Sequence, residues 1–309
     1  MTTFDKIKLV ANIDTIKDYD ENQFEKIEKD GNIAYKFYQE TPYLLLIKID
    51  YSKHEVVIEF TGKILGRDYP KLISSATIRQ CFHNINASGI ISLDVEAMMD
   101  ADVVKCDVTR DIPFDDIPRL TNYVRTHTCN YQRYICRKLT NGNLVVEKNV
   151  VTKKTKKRMT IYDKGKEMRK KENQRFVEAY GLDGKFDGIC RFEINLNTKE
   201  QIRAALGTNN TKLKTVLASE TNPILNFLDD VVDATSTPDA ITDRKSYFTM
   251  LVLKDCDFDL EKVEAKMRML YPSRGTSIRE IMQPYRQMME RISDSENASF
   301  WDGIRHQLL

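Results

Sequence analysis

A chain of 309 residues with 41% apolar and 30% charged residues has the composition of a folded globular protein, large enough for one big domain or two modest ones. No stretch approaches the roughly 18 consecutive apolar residues of a membrane span, and the opening MTTFDKIKLVANIDTIKDYD has no signal-type apolar run, so a cytoplasmic location without membrane association is expected. The formal net charge of +2 conceals an asymmetry: twelve Lys/Arg against three Asp/Glu lie between Lys148 and Arg175, a local +9 that leaves about −7 elsewhere and points to a polyanionic partner.

In chain order, two alternating runs, 43–50 and 55–62, flank the polar break YSKH and predict a β-hairpin. Helical apolar spacing (Leu72, Ile73, Ile78, Cys81, Phe82, Ile85) predicts a helix over 70–87. A strand is expected over 102–112, then a helix from near Pro113 to about Arg125. Strands near 133–139 and 143–151 meet at Asn141-Gly142, a strong hairpin turn. A strand ending at Tyr162, a helix over 164–179 and a strand over 188–196 follow. Asn197 or Thr198 then caps a short helix ending at Gly207.

From residue 208 the pattern is helical, and Pro284 is expected to kink or split the segment 276–293. The fold class is therefore α+β: a mainly antiparallel sheet with helices on one face over 1–207, followed by a helical C-terminal region over 208–309.

Six scattered cysteines without a CxxC pair read as reduced, mostly buried thiols, and four isolated histidines give no zinc spacing. There is no GxxxxGK[ST], so no P-loop chemistry is expected. Three strands share a period of two. Lys105, Asp107 and Thr109 oppose Val104, Cys106 and Val108; Arg158, Thr160 and Tyr162 oppose Met159 and Ile161; Arg191, Glu193 and Asn195 oppose Cys190, Phe192, Ile194 and Leu196.

If these strands are neighbours, Asp107, Tyr162 and Glu193 share a polar face. Hard carboxylate oxygens suit Mg²⁺ or Mn²⁺, and a tyrosine beside cations can attack a phosphate. Lys164 is placed to lower the phenol pKa or hold the phosphate, and Glu167 to act as a further ligand or base. A wet sheet face carries acids and bases without any function too, and Tyr123, Tyr131 and Tyr134 are rival nucleophiles by periodicity.

At these residues the chain resembles the replication-initiation proteins of the filamentous-phage gene II family, rolling-circle initiators with a Tyr-x-Lys signature. CDVTRD (106–111) resembles the strand with an R-I-D core, although Lys105 and Cys106 replace its first two residues. MTIYDKGKE (159–167) resembles the strand-to-helix element of the nicking tyrosine, and CRFEINL (190–196) the R-F-E strand. VIEFTGKILG (57–66) resembles the upstream hairpin more weakly, so the likeness covers roughly 45–205.

The resemblance implies a nickase in which Tyr162 forms a 5′-phosphotyrosyl link and leaves a 3′-OH to prime synthesis. Asp107 and Glu193 would hold Mg²⁺ or Mn²⁺, and Lys164 and Glu167 would assist. The implied partners are origin DNA, single-stranded or supercoiled duplex, and a host helicase. Lys153, Lys154, Lys156, Lys157, Arg158 and Arg191 would contact DNA. With one tyrosine in the motif, strand closure needs a second subunit, as in a homodimer, or activated water. A conjugative relaxase with the same chemistry, or a non-catalytic DNA-binding regulator of the same fold, is the alternative. Base readout is assigned equally to the Asn141-Gly142 hairpin and to the helical tail, where Met282, Met288 and Met289 read as packing residues.

Overall fold

The structure is a computed structural model that describes residues 2–29, 31–128, 134–149, 157–232, 243–271, 277–293 and 296–309; side chains at 292–293 and 296–299 are not described. Twelve strands are found among these residues. They are β1 (Phe4–Asn12), β2 (Ile16–Tyr19), β3 (Glu25–Lys29), β4 (Asn32–Gln39), β5 (Leu45–Asp50), β6 (Glu55–Thr61), β7 (Ile91–Leu93), β8 (Asp102–Pro113), β9 (Tyr134–Lys138), β10 (Leu144–Lys148), β11 (Arg158–Asp163) and β12 (Ile189–Leu196).

Ten of them form one antiparallel sheet in the order β3-β4-β5-β6-β1-β8-β12-β11-β10-β9, and β2 pairs with β7. The expected 43–62 hairpin is β5–β6, paired Leu45 to Phe60 and Asp50 to Glu55. The Asn-Gly turn closes β9 onto β10, with Gly142 at φ 90° and its N–H bonded to Leu139 O at 2.9 Å.

The helices are α1 (Ile78–Ala87), α2 (Val95–Met98), α3 (Ile117–Thr126), α4 (Lys164–Met168), α5 (Lys171–Tyr180), α6 (Lys199–Leu206), α7 (Leu213–Leu217), α8 (Pro223–Val231), α9 (Arg244–Asp255), α10 (Leu260–Leu270), α11 (Ile278–Ser293) and α12 (Glu296–Leu308). Thr198 Oγ1 caps α6 by accepting from Gln201 N at 3.2 Å, and Gly207 closes it in the left-handed conformation.

Alternation drives Phe4, Ile7, Leu9, Ile47, Ile58, Phe60, Cys106, Phe192 and Ile194 into the core. The amphipathic α1 buries Ile78, Cys81, Phe82 and Ile85, and Phe82 meets Phe60 of the sheet edge-on, centroids 6.1 Å apart.

Two expected helices are interrupted. The expected helix over 70–87 becomes a 3₁₀ segment, Gly62–Lys71, and α1. Leu72 between them has φ 56°, and Ile73 pairs with Phe4 as an isolated bridge, so the chain leaves helical geometry there. The expected helix over 164–179 breaks into α4 and α5: Lys170 is extended, and the Glu167 carbonyl accepts from Lys170 N at 3.2 Å and from Asn173 Nδ2 at 2.8 Å. By contrast, α11 runs through Pro284 without splitting.

The chain divides into two compact units, Met1–Thr121 with Asn130–Leu228, and Asn122–Cys129 with Asp229–Leu309. Residues 208–228 fall in the first of these units. Residues 211–214 join the sheet unit through Val103 N to Thr211 O (2.8 Å), Leu213 N to Ala101 O (2.8 Å) and Lys214 N to Met99 O (3.0 Å). The second unit is helical; its core joins Met250 and Leu253 of α9, Val263 and Met267 of α10, and Met282 and Met288 of α11. Among the described residues no helix is long and apolar enough to cross a membrane.

The kink inside the Gly62–Lys71 segment is Gly66, at φ 59° and ψ −118°, where a Cβ would lie 2.6 Å from the Tyr180 ring. That conformation is open essentially to glycine alone. Gly66→Ala should lower the stability of the sheet unit by about 1–3 kcal/mol in urea denaturation. An unchanged midpoint would contradict the strain described here.

Candidate active site

β8, β12 and β11 are adjacent, and their registers align one polar face. Tyr162 opposes Arg191, Thr160 opposes Glu193, Asn195 opposes Asp107, and Arg191 opposes Asp111. Residues at alternate positions on neighbouring strands share a face, so these side chains form a continuous polar surface.

β1 adds a residue that alternation alone misassigns. Phe4 pairs with Val108 and Lys6 with Asp107, so two steps on β1 span one on β8. This bulge lets Asp5 join the polar face although Ile7 and Leu9, of the same parity, are buried in the core.

Arg191 has 0% exposure, and its charge is answered from three directions. Its Nε and Nη2 donate to Asp111 Oδ1 and Oδ2 at 2.6 and 2.7 Å, a two-pronged contact. Nη1 donates to Asp5 Oδ1 at 2.8 Å and to Tyr69 Oη at 3.0 Å, and Tyr69 Oη donates to Asp5 Oδ1 at 2.8 Å. Arg191 was expected among the DNA-contacting cations. That expectation is corrected: the side chain is enclosed and committed to carboxylates inside the protein.

Lys164 is also buried, at 2% exposure. Its Nζ donates to Glu167 Oε2 at 2.5 Å and lies 5.1, 5.9 and 6.0 Å from the ring centroids of Tyr69, Phe186 and Tyr162. Glu167 is held in turn by Asn173 Nδ2 at 2.8 Å, and Asn173 Oδ1 accepts from Lys63 Nζ at 2.6 Å. Burial works to depress the Lys164 pKa, and the nearby Arg191 charge adds to that, so the ammonium sits below its ordinary value despite Asp5 and Glu167. For Glu167 burial acts upward, but the Lys164 ammonium, the Asn173 hydrogen bond and the Lys63 charge together outweigh it and keep the carboxyl low.

Tyr162 is 8% exposed and donates from Oη to Glu193 Oε2 at 3.2 Å. The other oxygen, Glu193 Oε1, accepts from Asn195 Nδ2 at 3.3 Å, and the same amide donates to Asp107 Oδ1 at 2.7 Å. Tyr162, Glu193, Asn195 and Asp107 are thus one hydrogen-bonded row.

Burial pushes the Tyr162 phenol well above its usual pKa, with Arg191 offsetting only part of the effect. Burial, then the Asp5 and Asp107 charges, push Glu193 up to about 7. Asp107 is likewise raised by burial, with the Asn195 hydrogen bond opposing. Asp5 is the exception. Burial acts upward on it, yet Arg191 and Lys164 together hold it below the ordinary carboxylate range.

Asp107 and Glu193 supply the hard oxygen donors that suit Mg²⁺ or Mn²⁺. Among the described residues no three acidic, histidine or cysteine side chains converge as a ready-made metal site. The donor chemistry nevertheless fits a cation: burial, with the Asp5 charge adding to it, raises both carboxyls, and the Asn195 amide bridges them as a hydrogen-bond donor.

Of the rival tyrosines, Tyr134 packs on Phe227, and Tyr123 is stacked against His127 and Trp301; Tyr131 lies outside the described residues. Lys153, Lys154 and Lys156 lie outside them as well. Lys157 is half-buried and Arg158, which opposes Asn195, is exposed. Asp5, Tyr69, Asp111, Asn173 and Asn195 are site residues that sequence reasoning did not single out. Asp111 continues the alternation of Asp107, so a longer reading of that strand reaches it, and alternation places Asn195 on the polar face of its strand without giving it a role.

Compared with known proteins, the chain matches no family model and no curated protein.

Glu193 gives the site a pH signature. In divalent-free buffer the folded protein keeps the Glu193 proton up to about pH 7, whereas an unfolded chain releases it near the reference value of 4.5. The stability linked to that proton is complete below 4.5 and is lost as pH rises through 7. Wild type should therefore lose stability relative to Glu193→Gln between those values, read as the difference of their urea midpoints. A difference that stays constant, or moves in wild type's favour, would contradict the assigned environment.

Proposed function

We propose that the protein nicks DNA through a covalent tyrosyl intermediate, with Tyr162 as nucleophile, to start rolling-circle replication of a phage or plasmid. The observation that carries the reading is the Tyr162–Glu193–Asn195–Asp107 row, beside two buried cations on one sheet face. The likeness of residues 106–111, 159–167 and 190–196 to the gene II initiators supports it, since those segments hold this row.

The chemistry follows from the placement of the groups. Tyr162 Oη attacks the scissile phosphorus and forms the P–O bond of a 5′-phosphotyrosine. The bond to the 3′ oxygen breaks, and that oxygen takes a proton to become a 3′-OH. The phenol proton has a path to Glu193 Oε2, its acceptor at 3.2 Å.

Asp107 and Glu193 Oε1 are the groups that would hold Mg²⁺ or Mn²⁺, which when bound offsets negative charge at the phosphate. Arg191 and Lys164 add fixed positive potential from beneath the face, acting on the phenolate rather than touching DNA. The exposed Arg158 is placed for a phosphate contact.

With Mg²⁺ or Mn²⁺ and a supercoiled plasmid carrying the DNA around its own gene, the purified protein should produce open circles with protein attached. Tyr162→Phe should abolish the covalent species on a denaturing gel. Asp107→Ala should cut cleavage by about 10²-fold or more while leaving a gel shift. A covalent species from Tyr162→Phe would remove Tyr162 from the mechanism, and cleavage by Asp107→Ala at the wild-type rate would remove the metal assignment.

A further inference from the structure

The proposed chemistry leaves one question open, namely how a particular DNA sequence is chosen. The sheet face offers phosphate-directed charge, which carries no sequence information. The second unit contains a better candidate. α11 packs Met282 and Met288 into the unit's core, and Ile278, Ile281, Tyr285 and Met289 lie against it. Its start is fixed by Ser277, whose Oγ accepts from Arg279 N at 3.2 Å.

The opposite side of α11 carries Arg279, Gln283, Arg286, Gln287 and Glu290, all exposed. At 3.6 residues per turn these five occupy a stripe about 100° wide, and at 1.5 Å per residue the stripe is roughly 16 Å long. A helix of that width fits the major groove, and that length matches about five base-pair steps.

Residue type and pairing separate this stripe from an ordinary solvated face. On α10 the cations are committed to carboxylates: Lys262 to Asp257 at 2.8 Å, Arg268 to Glu264 at 2.7 Å, and Lys266 to Asp255. On α11 neither the Arg279 nor the Arg286 guanidinium forms an ion pair among the described residues. The Gln283 and Gln287 amides form no hydrogen bond there either.

Forked guanidiniums and primary amides on one helix face are the groups that read base edges. Arg pairs with guanine O6 and N7, Gln with adenine N6 and N7, and Glu accepts from cytosine N4. With no such partner among the described residues, the Arg279 and Arg286 guanidiniums and the Gln283 and Gln287 amides are ready to bond without first breaking internal contacts.

We infer that α11 is a base-reading helix: its Arg279–Gln283–Arg286–Gln287–Glu290 stripe enters the major groove of duplex DNA and selects the sequence on which the protein acts. The inference rests on the reading of the protein as a DNA-processing enzyme, but not on Tyr162 chemistry.

The test is selection from a random 20-base-pair duplex library by the full-length protein in metal-free buffer. Wild type and Tyr162→Phe should enrich the same motif. Arg286→Ala and Gln287→Ala should each lose preference at one or two positions of it. Their affinity for the enriched duplex should fall about tenfold, while affinity for a scrambled duplex changes less than about threefold. Arg268→Ala, on α10, should leave the motif intact.

Three outcomes overturn the inference: no motif from wild type, a motif unchanged in both α11 variants, or an equal loss on every duplex, which marks phosphate contact alone. If the motif depends on α11 and no tyrosyl adduct forms, the catalytic reading fails and this one stands. If the adduct forms and the motif ignores α11, this one fails alone.

Discussion

A guanidinium with no access to water must have its charge answered by protein, and the enclosure of Arg191 is the constraint on which the rest of the site depends. Asp5 comes from the bulge in β1, Asp111 from β8, Tyr69 from the Gly62–Lys71 segment, and Arg191 from β12. One side chain therefore ties three strands and a connecting segment together. Breaking a buried pair by removing one partner typically destabilises by about 3–5 kcal/mol, because the remaining charge is stranded. The enclosure also explains the glycine at position 66, since the kink there lies in the segment that delivers Tyr69.

The electrostatics of the polar face follow from that arrangement. Arg191 and Lys164 are both buried, yet Asp5 and Glu167 hold a carboxylate close to them, so the pair of cations persists in low dielectric. Further along β12, Glu193 and Asp107 have no such cation in contact among the hydrogen bonds they make; their shared partner is the neutral Asn195 amide. One part of the face is thus balanced, and the other is short of positive charge. Burial, and after it the Asp5 and Asp107 charges, is why Glu193 holds its proton to about pH 7, and why a divalent cation or a proton suits that end of the row.

Much of this was legible from residue order. Period-two alternation assigns Asp107, Tyr162 and Glu193 to one face once their strands are neighbours, and the Asn141-Gly142 turn announces the β9–β10 hairpin. Alternation says which face a side chain is on, however, and not whether that face is covered. Arg191 has the expected parity, but Tyr69 lies over it, with Phe176 and Phe186 packed around the tyrosine ring. Asp5 was hidden for a different reason. In FDKIKLVAN its parity matches Ile7 and Leu9, and only the three-residue interval from Phe4 to Ile7 hints at the bulge. The break between α4 and α5 depends on Asn173 reaching back to Glu167, a contact that helical periodicity does not encode.

The proposed chemistry turns on the Tyr162 phenol forming the bond to DNA. The most direct measurement is mass spectrometry of the wild-type covalent complex after nuclease and trypsin digestion. Cleavage after Arg158 and Lys164 releases the peptide MTIYDK, residues 159–164. The account predicts a nucleotide remnant on this peptide, with fragment ions locating it at Tyr162. A remnant on any other peptide, or on Thr160 within this one, would contradict it.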